Sequence, residues 1–265
     1  MVNKISCPVL IIPHFLCLLP DRILKTNGAL PPKLVKDPWE GLPLFVGGGD
    51  AATPAEVHGL AGVTADLLTK GTSTRSGAQI AKLIESAGGS VGSNAALEWV
   101  SLTVEALSTN PRLPFNLLED MTRYSNFPQG EFDVVKDQTL VFLEQAEVSP
   151  DTLANRQFGR IAYGGHPYGN YTSLETVENL IREDVVEFYD TYFKPNNALL
   201  VIVGDISAEE ARAQTERVFG GWEPGPVPDF LSYPEAQVGD TTLVYVVDRP
   251  DSEQATIHPV SYTHL

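Results

Sequence analysis

At 265 residues the chain has room for one large domain, or for one domain and part of another. A hydrophobic share of 43% is ample for a soluble core, and a formal net charge of −16 argues against nucleic acid and anionic membrane surfaces as partners. The two cysteines, Cys7 and Cys17, have no CxxC spacing, which excludes a disulfide framework. The histidines are His14, His58, His166, His258 and His264. No two lie three or four apart, so no single helix presents a histidine pair to a metal.

Residues 1–41 show little organisation. The apolar run from Ile5 to Pro20, with Lys4 before it, has the composition of a secretion-signal core. Prolines interrupt it, no small-residue cleavage site follows, and it is too short and broken to span a bilayer. A periplasmic or secreted location follows if it is a signal, and a soluble intracellular one otherwise. Leu42 to Val46 predicts a strand entering a turn at Gly47-Gly48-Gly49. No Lys-Ser/Thr follows those glycines, so they predict a permissive turn and not a phosphate cradle.

Pro54 to Thr72 predicts the helix around which the chain is organised. Val57, Leu60, Ala61, Thr64, Leu67, Leu68 and Gly71 recur at helical spacing. A loop with a helix cap at Thr72–Ser76 leads to a second amphipathic helix, Ala78–Ala87, with Ile80, Leu83 and Ile84 inward. Two strands follow, Ser90–Ala95 and Glu98–Ala106. Pro111–Tyr124 predicts a helix carrying Leu117, Leu118 and Met121. Glu131–Glu147 predicts another, carrying Val134, Val135, Leu140, Val141 and Phe142. A helix from about Asp151 runs into the Tyr163-Gly164-Gly165-His166-Pro167-Tyr168-Gly169 turn. Leu174–Leu180 and Arg182–Phe193 are helical, and the aliphatic run Ala198–Val203 predicts a buried strand. Ser207 caps a helix over Ala208–Phe219. Residues 223–240 form a proline-rich linker, and Thr241–Asp248 predicts one more strand.

Two stretches carry a resemblance. GLAGVTADLLTKGTSTRSG, followed by IESAGGSVGSNAALEWVSLTVEALS, resembles the first domain of pitrilysin/insulinase-type zinc peptidases. YGGHPYG and YFKPNNALLVIVGD match further patterns of that family in the expected order, so the resemblance runs from about Leu42 to Ile257. It implies an α+β fold, a mostly antiparallel sheet packed against helices, of the metallopeptidase LuxS/mitochondrial-processing-peptidase-like kind. It also implies a peptidase-like domain over 42–222 and a truncated second domain opening at 241–265. In active members the organising helix carries H-x-x-E-H, two histidines on zinc and a glutamate that activates water. Those positions fall here on Gly62, Ala65 and Asp66, so none of the three is kept. A further acidic ligand falls nearest Glu144, although the most natural register places Val141 or Phe142 there. Asn94 and Ala95 match the asparagine-alanine pair of a strand whose edge accepts substrate.

The resemblance therefore implies a non-catalytic type, with no cofactor in this chain and zinc in a catalytic insulinase-like subunit or second domain. Activity is expected only with that partner, and peptides are the expected ligand, with no nucleic acid and no membrane span. Two other functions stay open. One is a structural subunit with no peptide role. The other is a metallopeptidase with unorthodox ligands, in which Asp66, Glu144 and one histidine converge.

Overall fold

The computed structural model of the protein describes residues 9–12, 18–19, 22–23, 39–107, 109–230 and 244–246. Its strands are β1 (Val9–Ile12), β2 (Leu18–Leu19), β3 (Arg22–Ile23), β4 (Trp39–Gly47), β5 (Ser90–Ala95), β6 (Trp99–Leu107) and β7 (Ala198–Val203). Five of them make one sheet in the order β1-β7-β4-β6-β5, and β2 pairs with β3 alone. All neighbours in the main sheet are antiparallel except β1 and β7. The fold is α+β.

Period-two alternation explains which way the sheet faces. Leu42, Leu44 and Val46 of β4 point inward with Val100, Leu102, Val104 and Ala106 of β6. Strand β7 departs from expectation, because only Ala198, Leu200 and Ile202 are buried while Leu199 and Val201 are half-exposed and Val203 is exposed. An aliphatic run reads as buried on both faces, but this sheet carries its helices on one.

Those helices are α1 (Leu60–Leu68), α2 (Gly77–Ser86), α3 (Arg112–Arg123), α4 (Gln129–Glu147), α5 (Pro150–Tyr163), α6 (Leu174–Glu178), α7 (Arg182–Tyr192) and α8 (Ala208–Phe219). The organising helix is shorter than its pattern implies. A 3-10 turn at Ala55–Val57 precedes it, and Gly59 takes φ +101°, a left-handed conformation that ends the turn before α1 begins. Val57 and Gly71 therefore lie off the helix. Ser76 caps α2 as expected, accepting from the Gln79 N–H while the Gln79 side chain accepts from the Ser76 N–H at 2.8 Å.

The loop between α1 and α2 is fixed by one buried acid. Asp120 of α3 accepts from Thr72 Oγ1 at 3.1 Å and Thr74 Oγ1 at 2.8 Å, and is paired with Arg75. Asp120→Ala removes every one of these bonds and leaves the buried Thr72 hydroxyl only a long bond to the Arg75 carbonyl, at 3.4 Å. A loss of about 2 kcal/mol is expected in urea unfolding, with little change in the m-value.

Most of residues 1–41, and most of the strand expected over Thr241–Asp248, lie outside the described residues. So do Cys7, Cys17, His14, His258, His264 and the end of the resemblance at Gln254–Ile257. The described part of the linker, 223–230, is irregular but pinned. Asn196 Nδ2 donates to the Gly225 carbonyl at 3.0 Å, and the Gly225 N–H donates back to Asn196 Oδ1 at 3.1 Å. No helix among the described residues is long and apolar enough to cross a membrane.

Candidate functional site

Helix α1 packs on the inner face of the sheet beside β5 and β6, with α4 and α7 against its other sides. Leu60, Ala61, Val63, Thr64, Ala65, Leu67 and Leu68 are all buried by these neighbours. Within α1 only Gly62 and Asp66 are not buried, four residues apart on one stripe. A Cβ on Gly62 would meet nothing within 4 Å, so open space lies beside it. Partial desolvation raises the Asp66 carboxyl above its ordinary value, with Lys70 opposing the shift. Ala65 is only 1% exposed and belongs to the core.

Glu144 sits on α4, exposed, one residue past the buried Leu143. Val141 and Phe142 are 52% and 68% exposed, so two large apolar side chains face solvent where the resemblance expects a ligating acid. Among the described residues no three His, Cys, Asp or Glu side chains are grouped to hold a metal ion. Of the two described histidines, His58 and His166, neither is grouped with Asp66 and Glu144.

Asn94 and Ala95 lie on β5, whose only partner among the described residues is β6. The Ala96 N–H donates to the Trp99 carbonyl at 2.8 Å, and Ser101 Oγ donates to the Asn94 carbonyl at 3.3 Å. The even-numbered residues thus aim their backbone groups at β6, and antiparallel alternation turns those of Val91, Ser93 and Ala95 to the open edge. The sequence SVGSNA has no charge and no proline to guard that edge. Sequence reasoning singled out the Asn-Ala pair, whereas the groups able to bond an added strand are the backbones of Val91, Ser93 and Ala95.

His166 is engaged in the turn that it opens. Its Nδ1 accepts from the Tyr168 N–H at 3.1 Å, and its ring lies edge-on to Tyr168 at 4.6 Å. The Tyr168 hydroxyl in turn donates to Glu98. The turn is tied to the hairpin joining β5 and β6.

Two ionisable groups beside α1 carried no local sequence signal. Asp50 lies on a 3-10 turn after the triple glycine, with Oδ1 buried and unpartnered, and burial pushes its carboxyl up to about 6. His58 is buried just before α1 with Nε2 unpartnered and Nδ1 3.4 Å from Thr172 Oγ1. Burial pushes its imidazole down to about 4, so it is neutral at physiological pH.

Comparison with known proteins gives this arrangement a context. Residues 40–175 match the family described as insulinase (peptidase family M16), and residues 179–258 match its peptidase M16 inactive domain. An uncharacterized zinc protease, YmxG, of Bacillus subtilis is 25% identical over 195 residues, 72% of this chain and 47% of that protein. A protein named non-peptidase homolog YmxG from Helicobacter pylori is 25% identical over 168 residues, 63% of this chain and 39% of its own length. Among solved structures, a peptidase M16 inactive domain from Pseudomonas fluorescens superposes with a TM-score of 0.69 at 20% identity, covering 76% of this chain and 49% of that one. A protease from Helicobacter pylori superposes at 0.70 with 18% identity, covering 75% and 50%. The chain thus spans about half the length, or less, of the relatives it matches.

Proposed function

Because this chain belongs to the insulinase family, peptidase family M16, we propose that it is a non-catalytic member that holds peptide for a zinc-bearing partner. The observation that carries this reading is the outward stripe of α1. It presents a glycine and an aspartate where hydrolysis needs two imidazoles, and a core alanine where it needs a carboxylate. The chain contributes shape and a strand edge to a peptide-holding chamber. Zinc and the water-activating group come from a catalytic insulinase-like subunit or a second domain. Peptide adds to β5 through the outward backbones of Val91, Ser93 and Ala95, next to α1.

Ser93→Pro tests this directly. Proline there removes one edge-facing N–H without taking a bond from the β5–β6 ladder, a position where sheets tolerate it. In fluorescence anisotropy with extended labelled peptides, the variant is expected to bind at least ten-fold more weakly at nearly unchanged melting temperature. Equal binding by variant and parent would remove the edge from the mechanism. No peptide binding by the parent, alone or with a catalytic relative, would leave the structural-subunit reading.

A further inference from the structure

Helix α4 has two apolar faces, and the fold uses one. Phe132, Val135 and Leu143 are buried. On the opposite side Val134, Val141 and the C-cap residue Val148 recur every seven residues, 50%, 52% and 67% exposed. At a rise of 1.5 Å per residue the row runs about 21 Å, long enough to seat several turns of another helix. Gln138 and Gln145 edge it on one side in line with the exposed Glu131, and Phe142 lies beyond them.

The opposite border is acidic. Asp137 and Glu144, seven residues apart, run parallel to the valines, and Asp133 lies beside Val134. The only basic side chain of this helix is Lys136, and its Nζ is held by the Glu178 and Leu180 carbonyls at 2.8 and 2.9 Å. The row therefore has no cation of its own available to balance its acids. A second copy of the chain would set this border against another of like charge, in a molecule already at −16. Charge complementarity selects a cationic occupant.

We propose that the Val134–Val141–Val148 row is a docking site for an amphipathic helix of a partner protein, one with apolar residues at seven-residue spacing flanked by lysine or arginine. The row rests on α4 and not on the β5 edge, and its docking does not depend on the peptide-holding role, although Val141 stands where the resemblance expects a ligating acid. Valines interleave with the partner's apolar row, and Asp133, Asp137 and Glu144 fix its register and orientation.

The test uses the full chain and a labelled helical peptide of about twenty residues, with leucines at seven-residue spacing and lysine flanks. A glutamate-flanked version of the same peptide serves as control. Expected are micromolar binding of the cationic peptide, weakened by salt, and no binding of the acidic one. Val134→Asn with Val141→Asn, and separately Asp137→Asn with Glu144→Gln, are each expected to weaken binding at least ten-fold. The Ser93→Pro variant is expected to bind this peptide as the parent does. If the asparagine pair leaves binding intact, attraction is merely coulombic and the docking site is refuted. Self-association of the parent that the asparagine pair abolishes would make the row a contact between copies and overturn the proposal as well.

Discussion

A chain carrying Gly62→His together with Asp66→His is expected to bind one zinc ion in the micromolar range, and still to hydrolyse no peptide. Both positions lie on the open stripe of α1, and a Cβ on Gly62 has free space around it. Imidazoles four residues apart on a helix can share one metal ion, with water completing its shell. Replacing a helical glycine also favours the helix by up to about 1 kcal/mol, which offsets crowding by the rings. Zinc at one hundred times its dissociation constant is then expected to stabilise the variant by about 2.7 kcal/mol, and the parent not at all. Thermal unfolding with and without zinc reads this out. Adding Ala65→Glu buries a carboxylate at a core position, so the triple variant is expected to lose stability without metal and regain part of it with zinc. Equal zinc stabilisation of parent and histidine pair would show that the parent already holds metal, and would favour the unorthodox-ligand reading. No stabilisation of the pair would mean that the register placing the blank positions on Gly62 and Asp66 is wrong.

Much of the fold is legible locally, because each element announces its period and its ends. β6 alternates cleanly, Ser76 and Gln79 cap α2, and Ser207 caps α8 through the Glu210 N–H. Helix α4 shows where local reading runs out. The sequence reading names Val134, Val135, Leu140, Val141 and Phe142 as its apolar residues, but at 100° per residue they spread around the helix and define no single face. Packing buries Phe132, Val135 and Leu143 and leaves Val134, Val141 and Phe142 outside. Spacing of three and eight between the buried residues was available in the sequence, yet a competing apolar row masked it. The break at Gly59 was hidden by a pattern that continues through it. For the site, residue identities exposed the blank metal positions, whereas only topology makes β5 an edge strand and turns Val91, Ser93 and Ala95 outward. Nothing local signals the burial of Asp50 and His58, because chain segments distant in sequence bury them. Gly49 shows how tightly: its Cβ would come within 2.0 Å of the Ala96 carbonyl oxygen, so the loop carrying Asp50 is pressed onto the β5–β6 hairpin.

Those two buried groups are expected to give the protein opposing pH dependences that nearly cancel. The Asp50 carboxyl rises from 3.8 to about 6 on folding, so between those values the folded state keeps a proton that the unfolded state releases. Stability from this group is present below pH 3.8 and is lost as pH rises towards 6. The His58 imidazole falls from 6.5 to about 4, so between those values the unfolded state binds a proton that the folded state refuses. Its effect has the other sign, with stability lost as pH falls from 6.5 to 4. Each shift corresponds to a change on the order of 3 kcal/mol across its window. Asp50→Asn removes the first, and is expected to make stability climb more steeply than the parent's from pH 4 to 6.5. It also relieves a buried, unpartnered charge, so the variant is expected to be more stable than the parent at pH 7. His58→Gln removes the second, and is expected to tilt the same profile the opposite way. The double variant is expected to return close to the parental slope, since each group's contribution leaves with it. Urea unfolding of the four proteins at half-unit pH steps measures all of this. Parallel profiles would mean that neither side chain is held away from water as the structure places it.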